Sequence, residues 1–264
     1  MFAEERKTLI IEYINRRKKA TVQELCDSFS VSSATIRNDL RELETTKQIL
    51  RTHGGAILPA KAGFEPLANE KEVQNLEAKR SIADCALGMI DPGDTIILDT
   101  GSTTIELAKI LFKKSNITVV TNDLAIAMIL EDHPTAQIIL VGGKVRKKFH
   151  STVGTYGKDI LRGLSVDKAF MGANSFSMEK GASTPDLQQA EMKSQMIAIS
   201  TKVVLLIDRT KFGRNSFVQF GPIESIGCLV TDSISDADRL MLEERGIEVV
   251  EAQEARKSQK NTHE

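Results

Sequence analysis

The chain has no tryptophan, two tyrosines, six prolines and three cysteines among its 264 residues. Cys26, Cys85 and Cys228 are isolated in apolar patterns, which excludes a disulfide framework and points to buried thiols in a reducing compartment. His53, His133, His150 and His263 are equally scattered, and no His, Cys or carboxylate cluster has metal-ligand spacing. We therefore expect no metal and no cofactor. No stretch is long and apolar enough to cross a bilayer, and the charged start is no signal peptide, so a cytoplasmic protein with no membrane partner is expected. Charge of one sign is missing as well. With a formal net charge of −1, any attraction to nucleic acid must come from a local Lys/Arg pattern. What is present is ordinary apolar content and enough length for one small domain plus one full-sized core.

The first 57 residues carry a distinct pattern. Leu9, Ile10, Tyr13 and Ile14 make one apolar stripe, and Thr21 followed by Glu24 is a capping box that opens a second helix with Val22, Leu25 and Phe29 inward. Ser32 or Ser33 then caps a third helix, SSATIRNDLREL. At 100° per residue, Ile36, Leu40 and Leu43 share one face, while Ala34, Asn38, Arg41 and Thr45 lie opposite with Arg37 beside them. That division suits a helix in a major groove: arginine bonds guanine bidentately, asparagine adenine, and Ala34 and the Thr35 methyl meet a thymine methyl. The strand-like run ILRTHGGA follows as a wing. Double-stranded DNA is thus the expected partner, with Ser32, Ser33, Thr35, Arg37, Asn38, Arg41, Arg51 and His53 as candidate contacts. Free N–H groups at the start of the third helix add a phosphate anchor. The run Arg16, Arg17, Lys18 and Lys19 is either a solvated helix end or a second one.

This segment resembles the DeoR-type family of bacterial sugar-catabolism repressors, in TIRNDLRELE from Thr35 to Glu44 and RTHGGA from Arg51 to Ala56. It departs at Asn38, where the family commonly has a second arginine, and at Lys47, where it has a helix-closing glycine.

From Leu58 the periodicity breaks around Pro59, Gly63 and Pro66, which reads as a linker over 58–74. A helix over Glu72 to Met89 then leads to short apolar runs at 95–99, 117–120, 137–141, 168–171, 203–207, 228–231 and 248–250. Several alternate with helical segments, as in a parallel sheet covered on both faces. The expected fold class is α/β: an N-terminal winged helix-turn-helix over 1–57 and a C-terminal doubly wound α/β domain over 75–251, with a polar tail over 252–264.

Ligands of open α/β sheets bind at the carboxyl ends of strands. There the chain reads Asp99-Thr100-Gly101-Ser102-Thr103-Thr104, running straight into a helix. Hydroxyls, a glycine and free N–H groups at a helix start make a cradle for a phosphate, against the plainer reading of a capped turn. Other strand ends carry Thr121-Asn122-Asp123, Gly142-Gly143 with Arg146, Gly172-Ala173-Asn174, and Asp208 with Lys211. Amides and carboxylates bond hydroxyls and cations balance phosphate charge, so the mixture suits a phosphorylated polyol.

The same half resembles the DeoR-type sensor domain, in LDTGSTT, VTND, VGGKVR, DKAFMGAN, TPDLQQAEMK and LIDRTKFG. The resemblance implies a fold of the ribose-5-phosphate isomerase and glucosamine-6-phosphate deaminase type and a phosphosugar effector. By motif position it implies Asp99, Gly101, Ser102, Thr103, Thr104, Asn122, Arg146, Asn174 and Lys211 as effector residues, with Glu191 and Lys193 as braces. Where the family often has glycine after the Asn174 position, Ser175-Phe176 stand here, and Phe176 is expected to narrow the pocket. Two enzymatic alternatives remain: an isomerase using Asp99, Glu191 or Lys211 to move a proton, and a sugar kinase suggested by DTGSTT, against which the chain is short. The expectation is a non-enzymatic repressor of a carbohydrate-use operon, released by a phosphorylated sugar or polyol and acting as a dimer or higher oligomer.

Overall fold

The computed structural model describes residues 2–17, 19–46, 48–52, 54–57, 63 and 65–252. The readings made for Lys18, Lys47, His53, His263, 58–62 of the linker and 253–264 of the tail lie outside the described residues. The chain divides into two compact units, Met1–Lys61 and Ala62–Glu264.

The first unit contains α1 (Ala3–Arg17), β1 (Lys19–Thr21), α2 (Val22–Phe29), α3 (Ser33–Thr45), β2 (Leu50–Thr52) and β3 (Gly55–Ile57). Thr21 Oγ1 accepts from Glu24 N at 3.1 Å while Thr21 N donates to the Glu24 carboxylate at 2.7 Å, closing the capping box. Ser32, rather than Ser33, caps α3 by accepting from Thr35 N at 3.2 Å. Ile10, Ile14, Leu25, Ile36, Leu40 and Leu43 are buried together, with Tyr13, Val22 and Phe29 at the margin. Leu9 is only half-buried, and Ile11 takes its place against the core. Lys19 does not end a helix; it starts β1, which pairs antiparallel with β3 to give a sheet of order β1-β3-β2. That pairing explains the wing glycine, since a Cβ on Gly55 would stand 1.9 Å from Ala20 O.

The second unit runs through α4 (Ala68–Val73), α5 (Leu76–Gly88), β4 (Thr95–Leu98), α6 (Ser102–Ile110), β5 (Thr118–Thr121), α7 (Leu124–Leu130), β6 (Gln137–Leu140), β7 (Lys144–Arg146), β8 (Ser151–Val153) and α8 (Thr155–Arg162). It continues with β9 (Val166–Gly172), β10 (Ser175–Ser177), β11 (Gly181–Thr184), α9 (Leu187–Ala198), β12 (Ser200–Leu206), β13 (Val218–Gly221), β14 (Cys228–Thr231), α10 (Asp236–Glu243) and β15 (Glu248–Glu251). Seven parallel strands form one sheet in the order β15-β14-β12-β9-β4-β5-β6. Each contains one of the apolar runs of the sequence or overlaps it. Alternate residues enter opposite cores: Ile97, Val120, Ala169 and Leu205 one, Ile96, Val119, Phe170 and Val204 the other. This double burial is why the strands read as continuous apolar runs. The chain winds outward through β5 and β6, returns beside β4 as β9, and winds the other way. The switch point therefore lies between β4 and β9.

Several expectations need correction. The segment 65–73, read as part of a linker, belongs to the second unit and carries α4, because Glu65 is drawn in by ion pairs that hydrophobic periodicity cannot register. The single helix over 72–89 is two. Asn75 between them adopts φ 51°, and its amide reaches Asp208 Oδ1 at 3.2 Å. The hairpin of β7 and β8 and the small antiparallel sheet β10-β11-β13 were missed, being three or four residues per strand. Ala252, assigned to the tail, is fully buried. Phe176, expected to narrow or reshape the pocket, is instead fully buried in the core against Phe212, with ring centroids 5.5 Å apart. Of the cysteines only Cys228 is buried, where burial pushes its thiol up to about 12; Cys26 and Cys85 are half-buried.

Candidate functional site

In the first unit, α3 turns a polar face outward. Ser32, Ser33, Arg37, Asn38, Arg41 and Arg51 are exposed, and Thr35 is half-buried beneath the cap. Gln23, Ser33, Arg37, Arg51 and Thr52 line one groove between α2, α3 and the wing. Arg37 has no hydrogen-bond or ion-pair partner among the described residues, whereas Arg41 Nη1 donates to Asn38 Oδ1 at 2.9 Å. Asn38 must leave that bond to contact an adenine through both amide atoms. Arg51 is steadied by Glu44, 3.6 Å away. Behind the face, Arg6 donates to both oxygens of the buried Asp39 at 2.6 and 3.1 Å. This bidentate pair ties α1 to the back of α3 and fixes its rotation.

In the second unit, the loops after β4, β9 and β12 meet at the switch point around one cavity. From the first come Thr100, Gly101, Ser102 and Thr103; from the second Gly172, Ala173 and Asn174; from the third Asp208 and Lys211. Ser102 and Thr103 open α6, whose first N–H groups have no intrahelical acceptor, so the positive end of the helix faces the cavity. Thr184 Oγ1 lies 3.0 Å from Asn174 Oδ1, leaving the Asn174 amide NH2 to donate.

Four of the expected residues do not line this space. Asp99 is fully buried: Lys193 Nζ and Gly172 N, at 2.9 Å, both donate to its Oδ2, and burial holds its carboxyl above the usual range against the pull of Lys193. Thr104 is also fully buried and donates to Gly101 O at 2.8 Å, bracing the loop from behind. Asn122 is turned into the fold and donates to Thr152 O at 2.8 Å; its neighbour Asp123 faces the cavity instead, accepting from Thr100 Oγ1 at 2.6 Å. Arg146 is taken up by Glu65 at 2.8 Å and Gln189 at 3.0 Å. Glu191, the third candidate for proton transfer, lies outside and pairs with Lys158 at 2.9 Å.

The sequence reading named Lys193 and Lys211 but missed Lys71 and Lys79. Lys71, Lys79, Lys193 and Lys211 all border the cavity. Glu65 pairs with Lys71 at 2.7 Å, Asp99 with Lys193, and Asp208 lies 4.0 Å from Lys211. Lys79 has no such partner among the described residues; its ammonium donates to the carbonyls of Lys71 and Gln74. The signal for Lys79 was available, since it shares the helical face of Ile82, Ala83 and Ala86 and is 3% exposed. An ammonium at such a position has a reason to be there other than solvation. Burial, reinforced by Lys211, pushes Lys79 down to about 8, and burial also lowers Lys71 despite Glu65. A bound anion would favour the charged lysine, so the affinity of any phosphate ligand held here is expected to be full between about pH 6 and pH 8 and to fall as the pH rises above that. The phosphate itself is already dianionic there, its second pKa being about 6. Calorimetric titration across this range should show the fall, and Lys79→Arg should flatten it; a flat wild-type profile would remove Lys79 from the site.

Residues 74–233 match the family described as the DeoR C terminal sensor domain, and residues 6–62 the DeoR-like helix-turn-helix domain. The chain is 39% identical to the HTH-type transcriptional regulator GlpR of Haloferax volcanii, over 95% of this chain and 98% of that one. It is 36% identical to the regulator GolR of Listeria innocua, over 88% and 92%. It is 34% identical to the glycerol-3-phosphate regulon repressor of Escherichia coli, over 85% and 88%. Among solved structures, ribose 5-phosphate isomerase A from Methanocaldococcus jannaschii aligns at TM-score 0.39 and 17% identity, over 53% of this chain and 55% of that one.

Proposed function

The chain belongs to the DeoR family of transcriptional regulators, and on that premise we propose that it represses a carbohydrate-use operon until a phosphorylated sugar or polyol binds its sensor domain. The observation that carries the reading is the cavity at the switch point, where a helix N-terminus and four lysines converge on a space bordered by hydroxyl and amide groups. A phosphate satisfies the cations and N–H groups; Asn174, Asp123 and Asp208 remain for hydroxyls. Ser102, Thr103, Gly101 and Lys211 are the proposed contacts from the sequence reading, and Lys71 and Lys79 join them. In the first unit, Arg37, Asn38 and Arg41 on α3 read the major groove, with Ser32, Ser33 and Arg51 on phosphates. Single units of this kind bind weakly, so a dimer or higher oligomer on repeated half-sites completes the proposal.

The placement of Asp99, Glu191 and Lys211 favours binding over isomerisation. Asp99 is sealed beneath Lys193 and Glu191 lies outside the cavity, so no carboxylate of that trio is placed to move a proton of the ligand. The name of one relative refers to a glycerol-3-phosphate regulon, which makes glycerol 3-phosphate the first ligand to try beside hexose phosphates and their unphosphorylated parents. A coupling of about 1–3 kcal/mol between effector and operator would suffice for release.

The test is Ser102→Asp. A carboxylate at the start of α6 repels the phosphate, so operator binding is expected to persist while release by any phosphosugar is lost. Gel-shift titration with and without the sugar phosphates measures both. Ordinary release of this variant would place the effector elsewhere.

A further inference from the structure

We infer that Glu65 is an internal anion that competes with the effector's phosphate for Lys71 and Arg146, and so sets the site's preference for dianions while holding the strap of residues 65–73 against the cavity. The inference rests on the effector reading above and adds its regulation.

The geometry is specific. Glu65 precedes α4 in a stretch of no regular structure, yet its side chain is 6% exposed. One oxygen accepts from Lys71 at 2.7 Å and the other from Arg146 at 2.8 Å. Both cations stand over the Phe149 ring, at 5.8 and 4.3 Å from its centroid. Burial opposes the charge on Glu65, but Lys71 and Arg146 hold it below the usual carboxylate range. It is therefore an anion held by two cations, as a ligand phosphate would be. Arg146 does not border the cavity, whereas Glu65, which holds it, does, and that is what competition entails.

The loop facing the strap is strained. Lys148 and His150 adopt φ 71° and 56° without being glycine, in the left-handed region that side chains disfavour. The Lys148 carbonyl accepts from Ala68 N at 3.2 Å. Glu65, Ala68, Lys71, Phe149 and His150 together wall the cavity on this side. A phosphate that engages Lys71 and Arg146 must take them from Glu65. A dianion outcompetes one carboxylate for Lys71 and Arg146, whereas a neutral sugar or a monocarboxylate does not. Once Glu65 is displaced, the strap of residues 65–73 loses its ion-pair anchor.

The experiment is calorimetric titration of inorganic phosphate, glycerol 3-phosphate and acetate into the full-length protein and its Glu65→Gln variant, with amide hydrogen exchange over 65–75. Glu65→Gln is expected to bind phosphate roughly tenfold more tightly and to narrow the margin between phosphate and acetate. In the wild type, phosphate should speed exchange over 65–73. If the wild type binds phosphate and the variant binds it equally or more weakly, Glu65 is a brace and the inference falls alone. Slower exchange on adding phosphate would also overturn it, and needs no variant. If neither protein binds any of the phosphates, the effector reading fails and takes this inference with it.

Discussion

Replacing Lys193 by methionine should destabilise the second unit by about 3–5 kcal/mol, because it strands a carboxylate in the core. Asp99 has no exposed surface, and Lys193 is 2% exposed on α9. Their contact joins α9 to the end of β4, and Lys193 also donates to Gly172 O at 3.0 Å, at the end of the neighbouring strand β9. The pair pins the switch point from beneath. Without Lys193 the Asp99 carboxyl, already held high by burial, rises further above its unfolded value. The folded form then binds the proton more tightly, and the stability this contributes is present in acid and lost as pH rises through the folded pKa. The deficit should therefore be smaller near about pH 5 than near about pH 8. Denaturant unfolding followed by circular dichroism measures it. Adding Asp99→Asn to the methionine variant removes the stranded charge and should recover most of the loss. A single variant within about 1 kcal/mol of wild type would mean that the pair contributes little beyond what packing supplies.

The second large effect is expected at Arg37. Arg37→Ala should weaken operator binding by about 1–3 kcal/mol per half-site, the value of one bidentate arginine–guanine contact. Because Arg37 is exposed and unpartnered among the described residues, thermal stability should not change. Effector affinity, a property of the other unit, should also stand. Fluorescence anisotropy on operator and scrambled duplexes separates the possibilities: loss on the operator alone marks base reading, equal loss on both marks a phosphate contact. Undiminished binding to both would take Arg37 off the DNA face. Asp39→Asn gives a useful contrast, since it weakens the Arg6 clamp behind α3 and should lower stability and operator affinity together.

Much of the fold was legible in the sequence because its information is local. The Thr21–Glu24 box, the faces of α3 and the seven apolar runs of the sheet each depend on residues a few positions apart, which periodicity and capping chemistry report. The exposed polar face of α3 was legible for the same reason: Arg37, Asn38 and Arg41 share one side of one helix. The loop from Gly101 to Thr103 showed itself as hydroxyls and glycine where a strand runs into a helix, and it borders the cavity.

The sensor cavity was legible only in part, and the failures have a common cause. Asn122, Arg146 and Asp99 have the side chains that a ligand site uses, but the decision between facing a cavity and bracing a wall depends on partners 30, 81 and 94 residues away: Thr152, Glu65 and Lys193. Composition reports that a charge exists, not which charge it meets. Glu65 shows this most plainly, since Pro66 and broken periodicity read as linker while two ion pairs fold the segment into the domain wall. The sequence by itself determined the two units, the α/β order and the polar face of α3, because these follow from the backbone period and from neighbours along the chain. Only the tertiary structure decided which cations ring the cavity, which carboxylates already hold them and where the switch point brings them together. Coulomb energy depends on distance through space, and that distance is set by the strand order rather than by separation along the chain.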